Sequence, residues 1–266
     1  MTDQDDRLAF AIDLTQRAGT FAAEFFSSID TLEIESKGHQ DLVSNADRDT
    51  ETFIRNAIAE HYPEDGIFGE EHAPVAGTSG RVWVIDPIDG TANFVRGIPA
   101  WCVTLACANR GVTEIGVTCE PSSGETFWAA RGKGAFVNGK PMRISSSQSL
   151  SDGSVAVGFS RRVASAPVIT IVEDILAQGG VFFRNASGAL MLAYVAAGRL
   201  IGYIEENMNS WDCLAGLLMI EEAGGRVMPL DPETVVENGA QIVAAAPAIY
   251  PQLGEIATKA FGSCPQ

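Results

Sequence analysis

At 266 residues, with 46% hydrophobic and 20% charged residues, the chain is long and apolar enough to bury a substantial core, as one large domain or two tightly joined ones. A formal net charge of -16 argues against a nucleic-acid groove, because no cluster of lysine and arginine is present to replace phosphate counterions. No apolar run approaches the roughly eighteen residues that span a bilayer, and Met1-Thr-Asp-Gln-Asp-Asp6 lacks the basic and apolar regions of a signal peptide, so a cytoplasmic protein with no membrane partner is expected.

The first sixty or so residues read as helical. Leu8, Ile12, Leu14, Ala18, Phe21, Ala22 and Phe25 recur at helical spacing, and a second amphipathic stretch runs from Asp47 to His61 through Phe53, Ile54 and Ile58. Between them, Leu32 to Ser44 alternates like a short hairpin with a mobile Lys37-Gly38 tip. From Val82 to Val137 the pattern turns to strands separated by Asn-Arg-Gly and Pro-Ser-Ser-Gly turns, which predicts an antiparallel meander. The polar Ser145-Ser-Ser-Gln-Ser149 stretch is the best linker, dividing an N-terminal α+β subdomain (1–145) from a C-terminal α/β subdomain (146–266), the two packed as one unit. Beyond it strands at Ser154–Val157, Val181–Phe183 and Leu200–Ile204 alternate with helices at Ala166–Gln178, Ala189–Ala197 and Trp211–Ala223.

The most informative stretch is Trp83-Val-Ile-Asp-Pro-Ile-Asp-Gly-Thr-Ala-Asn-Phe94, where an apolar run ends in two carboxylates and a Gly-Thr turn. Asp86 and Asp89, spaced by Pro87 and Ile88, can hold a hard cation beside backbone amides that cradle an anion. Alone, Asp-Pro and Asp-Gly are common turn dipeptides. The company they keep changes the reading: Phe68-Gly-Glu-Glu-His72 upstream and Ser210-Trp-Asp-Cys213 downstream also set carboxylates at the edges of apolar elements. Taken singly, Glu70 and Glu71 are an ordinary solvated pair, and Ser210 with Asp212 an ordinary helix cap. Together Glu70, Asp86, Asp89 and Asp212 suit Mg²⁺, and Asp47 can accept a proton or hydrogen bond from a neighbouring hydroxyl.

A cation next to a phosphate-sized turn suggests a metal-dependent phosphatase, and in so acidic a chain only bound cations would reverse the local field for a phosphate ester. Thr91 stands where a helix would begin after Gly90, so both amides would face an anion and the Thr91 hydroxyl would orient the attacking water. His39, His61 and His72 show no metal-ligand spacing, and the five cysteines, without a Cys-x-x-Cys pair, read as buried reduced thiols. Gly132-Lys-Gly134 is a turn rather than a phosphate loop.

The combination of Gly69-Glu-Glu71, Trp83 to Phe94, Trp211-Asp-x-x-Ala-Gly216 and Glu221-Glu-Ala-Gly-Gly225 resembles the inositol monophosphatase family. Asp41 to Asp47, Gly132-x-Gly-Ala-Phe136 and Ala193 to Leu200 match that family's pattern in order, so the resemblance spans nearly the whole chain. It implies a mixed α/β fold layered α-β-α-β-α and a Mg²⁺-dependent, lithium-sensitive phosphomonoesterase, commonly a homodimer, with about two to three metal ions. By position, Glu70, Asp86 and the Ile88 carbonyl would hold a first metal, Asp86, Asp89 and Asp212 a second, and Glu70 with waters a third. The resemblance also implies that Thr91 with Asp47 helps activate the water, that Lys37 lies on the mobile loop, and that Gly90 and Thr91 amides bind phosphate. Glu205 matches the position that touches substrate hydroxyls. Where the family usually has Gly-Ser/Thr-Ala-Ala lining the substrate pocket, this chain reads Ala186-Ser187-Gly188-Ala189, and Glu206 to Ser210 also departs from the usual pattern.

The expected function is hydrolysis of a small polyol phosphate, with myo-inositol 1-phosphate first. Histidinol phosphate, a sugar phosphate or a nucleoside 3',5'-bisphosphate are alternatives on the same chemistry, and a metal-binding interaction module without turnover is an alternative of another class.

Overall fold

The alternation read from the sequence becomes layers. In the computed structural model, which describes residues 2–38, 41–160 and 164–262 apart from the side chains of 31, 36–38, 41 and 42, helix α1 (Asp3–Phe26) is followed by a hairpin of β1 (Ile34–Gly38) and β2 (Asp41–Ser44) and by α2 (Asn45–His61). Strands β3 (Gly66–Gly69) and β4 (Arg81–Asp89) pair in parallel, a single turn of helix α3 (Thr91–Phe94) follows, and β5 (Cys102–Asn109), β6 (Val112–Glu120), β7 (Glu125–Ala130), β8 (Gly134–Val137) and β9 (Lys140–Pro141) complete an antiparallel meander in one sheet of order β3-β4-β5-β6-β7-β8-β9.

Residues 142–148 then run without regular structure. The second half supplies β10 (Ser154–Val157), α4 (Ser165–Ala177), β11 (Val181–Phe183), α5 (Gly188–Ala196), β12 (Gly202–Met208), α6 (Ser210–Glu222), β13 (Arg226–Val227), α7 (Val235–Asn238), β14 (Ala240–Ala245) and α8 (Tyr250–Phe261), with a second sheet of order β11-β10-β12-β14-β13.

Burial sorts these elements into five layers. Leu14, Ala18 and Ala22 of α1 and Ile54 and Ile58 of α2 pack with Trp83, Ile85 and Ile88 on one face of the first sheet. On its other face Val84, Ala106 and Phe127 meet α5 and α6, which are apolar all round, with Cys213 to Ile220 buried without interruption. A helix buried on every side belongs between two surfaces. The second sheet covers α5 and α6 from beyond, and α4 and α8 close its outer face through Ile171, Ile175, Leu253 and Ile256. The chain thus has the expected α-β-α-β-α order, and its central layer joins both halves in one core.

Several local expectations change. Helix α2 starts at Asn45 because Ser44 and Asp47 cap it reciprocally. Lys37 and Gly38 belong to strand β1 rather than to a tip; the connecting residues 39 and 40, and the Lys37 side chain with its expected role, lie outside the described residues. Strand β12 extends past the expected Ile204 to Met208, so that Glu205 is a strand residue. No helix among the described residues is long and apolar enough to cross a membrane.

Candidate active site

Asp86 and Asp89 are three residues apart in one strand, and a regular strand would point them to opposite faces of the sheet. The chain solves this with a bulge: Asp86 pairs with Thr104 but Asp89 with Cys102, so one extra residue sits in β4. Ile85 and Ile88 thereby face the α1–α2 layer while Asp86 and Asp89 share the opposite face. There they meet Asp212 in the first turn of α6; one carboxylate oxygen from each of the three lies within 4.8 Å of the others. Asn209 occupies the cap position of α6 but its side chain does not cap the helix, and the Ser210 hydroxyl donates to the Val236 carbonyl at 2.6 Å.

Glu70 follows β3 and is pinned to β4 by its amide, which donates to the Ile85 carbonyl at 3.3 Å. Trp211 packs its ring against Phe68 with centroids 5.6 Å apart, which draws the start of α6 to the end of β3. The negative charges of Glu70, Asp212 and Asp89 all act on Asp86, and burial together with them holds its carboxyl well above the usual carboxylate range. Carboxylate oxygens of Asp86 and Asp212 lie within 4.8 Å of one another, a closeness that a proton or a cation between them would relieve. Buried carboxylate oxygens with acidic neighbours are a hard-donor set, which fits Mg²⁺ and not a soft metal.

Asp89 has a second task. Its Oδ2 accepts from the Ser187 hydroxyl at 2.6 Å and the Ala189 amide at 2.8 Å, its Oδ1 accepts from the Gly188 amide at 3.2 Å, and the Cys102 thiol lies 3.7 Å from Oδ2. The first amides of α5 have no partner within their own helix, so Asp89 supplies the anion that this buried helix end requires. Burial raises its pKa and these bonds oppose the rise. Ser187 and Gly188, expected on the substrate side, are therefore engaged with Asp89.

Beyond the bulge, Gly90 adopts φ +95° at the cap position before α3; a Cβ there would stand 2.9 Å from the Ala100 carbonyl oxygen, so the turn requires glycine. The Thr91 hydroxyl lies 3.1 Å from Asp47 Oδ1 and 3.0 Å from the Ile88 carbonyl, and its single proton can serve either. Asp47 Oδ2 takes the Ser44 amide at 2.8 Å and hydroxyl at 2.6 Å. Burial pushes the Asp47 carboxyl up to about 6, against the lowering effect of the Ser44 bonds. Asn93 ties this turn to the start of α5 by donating to the Ala100 and Asn185 carbonyls at 2.7 and 2.6 Å.

Glu205, on β12, is buried; its Oε2 accepts from the Tyr203 hydroxyl at 2.5 Å, and burial pushes its carboxyl up to about 7. The charges of Asp212 and Asp89 also raise it, which sets Glu205 electrostatically within reach of the cluster. A small cavity beside it is lined by Gly158, Phe159, Val168, Glu206 and Phe261. Cys102, Cys107, Cys119 and Cys213 are free and buried as expected, while Cys264 lies outside the described residues.

Sequence reasoning missed Glu51 and Arg55. Both lie on α2 behind the Gly69–His72 segment, and the only sequence signal is that they follow Asp47 at successive intervals of four.

The profile described as the inositol monophosphatase family matches residues 3–263. The chain is 38% identical over 223 residues to the Nus factor SuhB of Escherichia coli strain K12, covering 83% of this chain and 84% of that protein. It is 36% identical over 212 residues to an inositol-1-monophosphatase of Rhizobium meliloti, covering 79% and 80%. Among solved structures, the extragenic suppressor protein suhB of Bartonella henselae superposes with a TM-score of 0.90 at 32% identity, covering 96% of this chain and 99% of that one.

Proposed function

The chain belongs to the inositol monophosphatase family, and on that premise we propose that it is a Mg²⁺-dependent phosphomonoesterase acting on a small polyol phosphate, myo-inositol 1-phosphate first. The observation that carries the proposal is the convergence of Asp86, Asp89 and Asp212, with Glu70 beside them, at the edge of the Gly90–Thr91 turn.

In this reading Glu70, Asp86, the Ile88 carbonyl, Asp89 and Asp212 hold the metal ions. Bound Mg²⁺ supplies positive charge that activates water and neutralises the phosphate and leaving oxygens. The remaining work falls to the chain's own groups. Gly90 and Thr91 amides donate to a phosphate oxygen. The attacking water passes a proton to the Thr91 hydroxyl oxygen as Thr91 passes its own to Asp47 Oδ1, 3.1 Å away. Asp47, with its carboxyl pushed up to about 6, is a better proton acceptor near neutrality than an ordinary aspartate. Glu205, kept in place by Tyr203, accepts from a substrate hydroxyl. Lithium sensitivity and a homodimer belong to the same proposal.

The test is phosphate release from inositol, histidinol, sugar and nucleotide phosphates with Mg²⁺, with EDTA and with added lithium. Mg²⁺-dependent release concentrated on inositol 1-phosphate supports the reading in full. A peak elsewhere keeps the chemistry and replaces the substrate. Silence from folded, Mg²⁺-loaded protein supports the second reading, a partner-binding role. That reading is favoured by the E. coli relative's name as a Nus factor and by the exposed apolar residues Ile169, Leu176, Val181 and Phe182 on α4 and β11.

A further inference from the structure

Asp47, Glu51 and Arg55 follow one another at intervals of four along α2, so they lie on one face of the helix, a turn apart. Asp47 belongs to the site already described. Glu51 is completely buried, and a buried carboxylate needs partners to hold it there. Its partners are unusual in kind: besides Arg55 Nε at 2.6 Å, it accepts the backbone amides of Glu71 at 2.7 Å and His72 at 3.2 Å. Arg55 completes the grip from the other side, donating to the carbonyls of His72 at 3.0 Å and Ala73 at 3.1 Å. The same loop leaves room for the carboxylate only because residue 69 is glycine; a Cβ there would collide with Glu51 Oε1.

Glu70 sits inside this grip. Its own amide is fixed to β4 through Ile85, and the next two amides are fixed to Glu51, so the backbone on both sides of its side chain is held to elements that also carry Asp47 and Asp86. We propose that Glu51 and Arg55 are positioning residues that set the affinity of the site for its divalent cation by holding the Gly69–His72 segment, and with it the Glu70 carboxylate, against the end of β4. The inference rests on the metal reading of the preceding subsection. Without the clamp, Glu70 would have to be ordered at the moment of cation binding, and that cost would appear in affinity rather than in the chemical step.

A purely structural ion pair would behave differently, and the protein contains one for comparison. Asp65 is buried like Glu51 and is held by Arg7, by the Trp83 indole at 2.8 Å and by the Ser79 hydroxyl at 2.7 Å, none of them a candidate ligand. The experiment measures Mn²⁺ binding to metal-stripped full-length protein, from the loss of the free-ion EPR signal, together with the Mg²⁺ dependence of phosphate release. Glu51→Gln is expected to weaken Mn²⁺ binding and raise the Mg²⁺ requirement about 10- to 100-fold, with kcat at saturating metal within about threefold of wild type. Arg55→Lys keeps the charge but loses the planar fork to two carbonyls, and should weaken binding severalfold; it carries the test if Glu51→Gln does not fold. Asp65→Asn is expected to lower thermal stability and leave Mn²⁺ affinity unchanged.

Folded Glu51 and Arg55 variants that bind Mn²⁺ like wild type, or an equal loss of affinity in Asp65→Asn, would overturn the inference while leaving the metal reading intact. Absence of Mn²⁺ binding by the wild-type protein would overturn the metal reading itself, and the inference with it.

Discussion

Two buried acidic regions of this protein are built on opposite principles. Around Asp65 the chain supplies every partner itself: the Arg7 guanidinium, the Trp83 indole and the Ser79 hydroxyl neutralise and saturate the carboxylate. Around Asp86 the neighbouring charges of Glu70, Asp212 and Asp89 are of the same sign, so folding gathers repulsion there. The first arrangement leaves the buried charges of the fold compensated. The second destabilises it until positive charge arrives, and a cluster of that kind marks where an ion or protons belong. Both lie on or beside β4, through Trp83 near its start and Asp86 near its end.

The comparison is broken most severely by Asp86→Asn, which removes the central carboxylate of the cluster: kcat for phosphate release should fall roughly 10³-fold or more in protein whose fold is unchanged by circular dichroism. Asp47→Asn spares the proposed ligands and removes the proton acceptor behind Thr91, while the amide oxygen it leaves can still accept from Ser44 at the start of α2. A drop of about 10²-fold in kcat is expected, with Mn²⁺ affinity close to wild type; an equal loss of metal binding would show that Asp47 acts through the cluster instead. Asp65→Asn, at the other region, should leave kcat unaltered while costing about 3 kcal/mol and lowering the melting temperature by about 10 °C, because it removes the buried counter-charge of Arg7 and leaves that guanidinium only the exposed Asp3. The smallest effect is on pH dependence. Burial raises the Asp47 carboxyl to about 6 and that of Glu205 to about 7, and raises Asp86 well above its usual range. On unfolding these carboxyls return to a pKa of about 4 and lose their protons, so the folded state binds more protons across that window and its stability falls as pH rises through it. The melting temperature of metal-free protein should drop by a few degrees between about pH 5.5 and 8, and Mg²⁺ should restore more stability at pH 8 than at 5.5. A flat profile in EDTA would mean that the cluster is not strained.

Much of this was legible in the residues. The amphipathic periods of α1 and α2, the meander, and the alternation from Ser154 to Ala223 gave the layers, because burial on one face leaves a period in the sequence. Strand β14, Ala240-Gln-Ile-Val-Ala-Ala245, was hidden by its alanines, which favour helix, whereas its place between β12 and β13 makes it a strand. Helix α8 carried a readable signal, Pro251 in its first turn and Leu253, Ile256 and Ala257 on one face, that went unread.

In the site, the carboxylate set was visible as residue types but its geometry was not. The bulge that turns Asp86 and Asp89 to the same face depends on pairing with β5, and the capture of α5's first amides by Asp89 joins residues about a hundred positions apart. Glu51 was invisible for the same reason: its partners are backbone amides, which every sequence contains.

The central claim, that the Asp86 cluster is left for a divalent cation to neutralise, is tested most directly by thermal unfolding of metal-stripped wild-type protein and Asp86→Asn, each with and without Mg²⁺ at pH 8. The account predicts that the substitution raises the metal-free melting temperature and abolishes most of the Mg²⁺-induced gain seen in wild type. A lower metal-free melting temperature together with an undiminished Mg²⁺ gain in Asp86→Asn would contradict it.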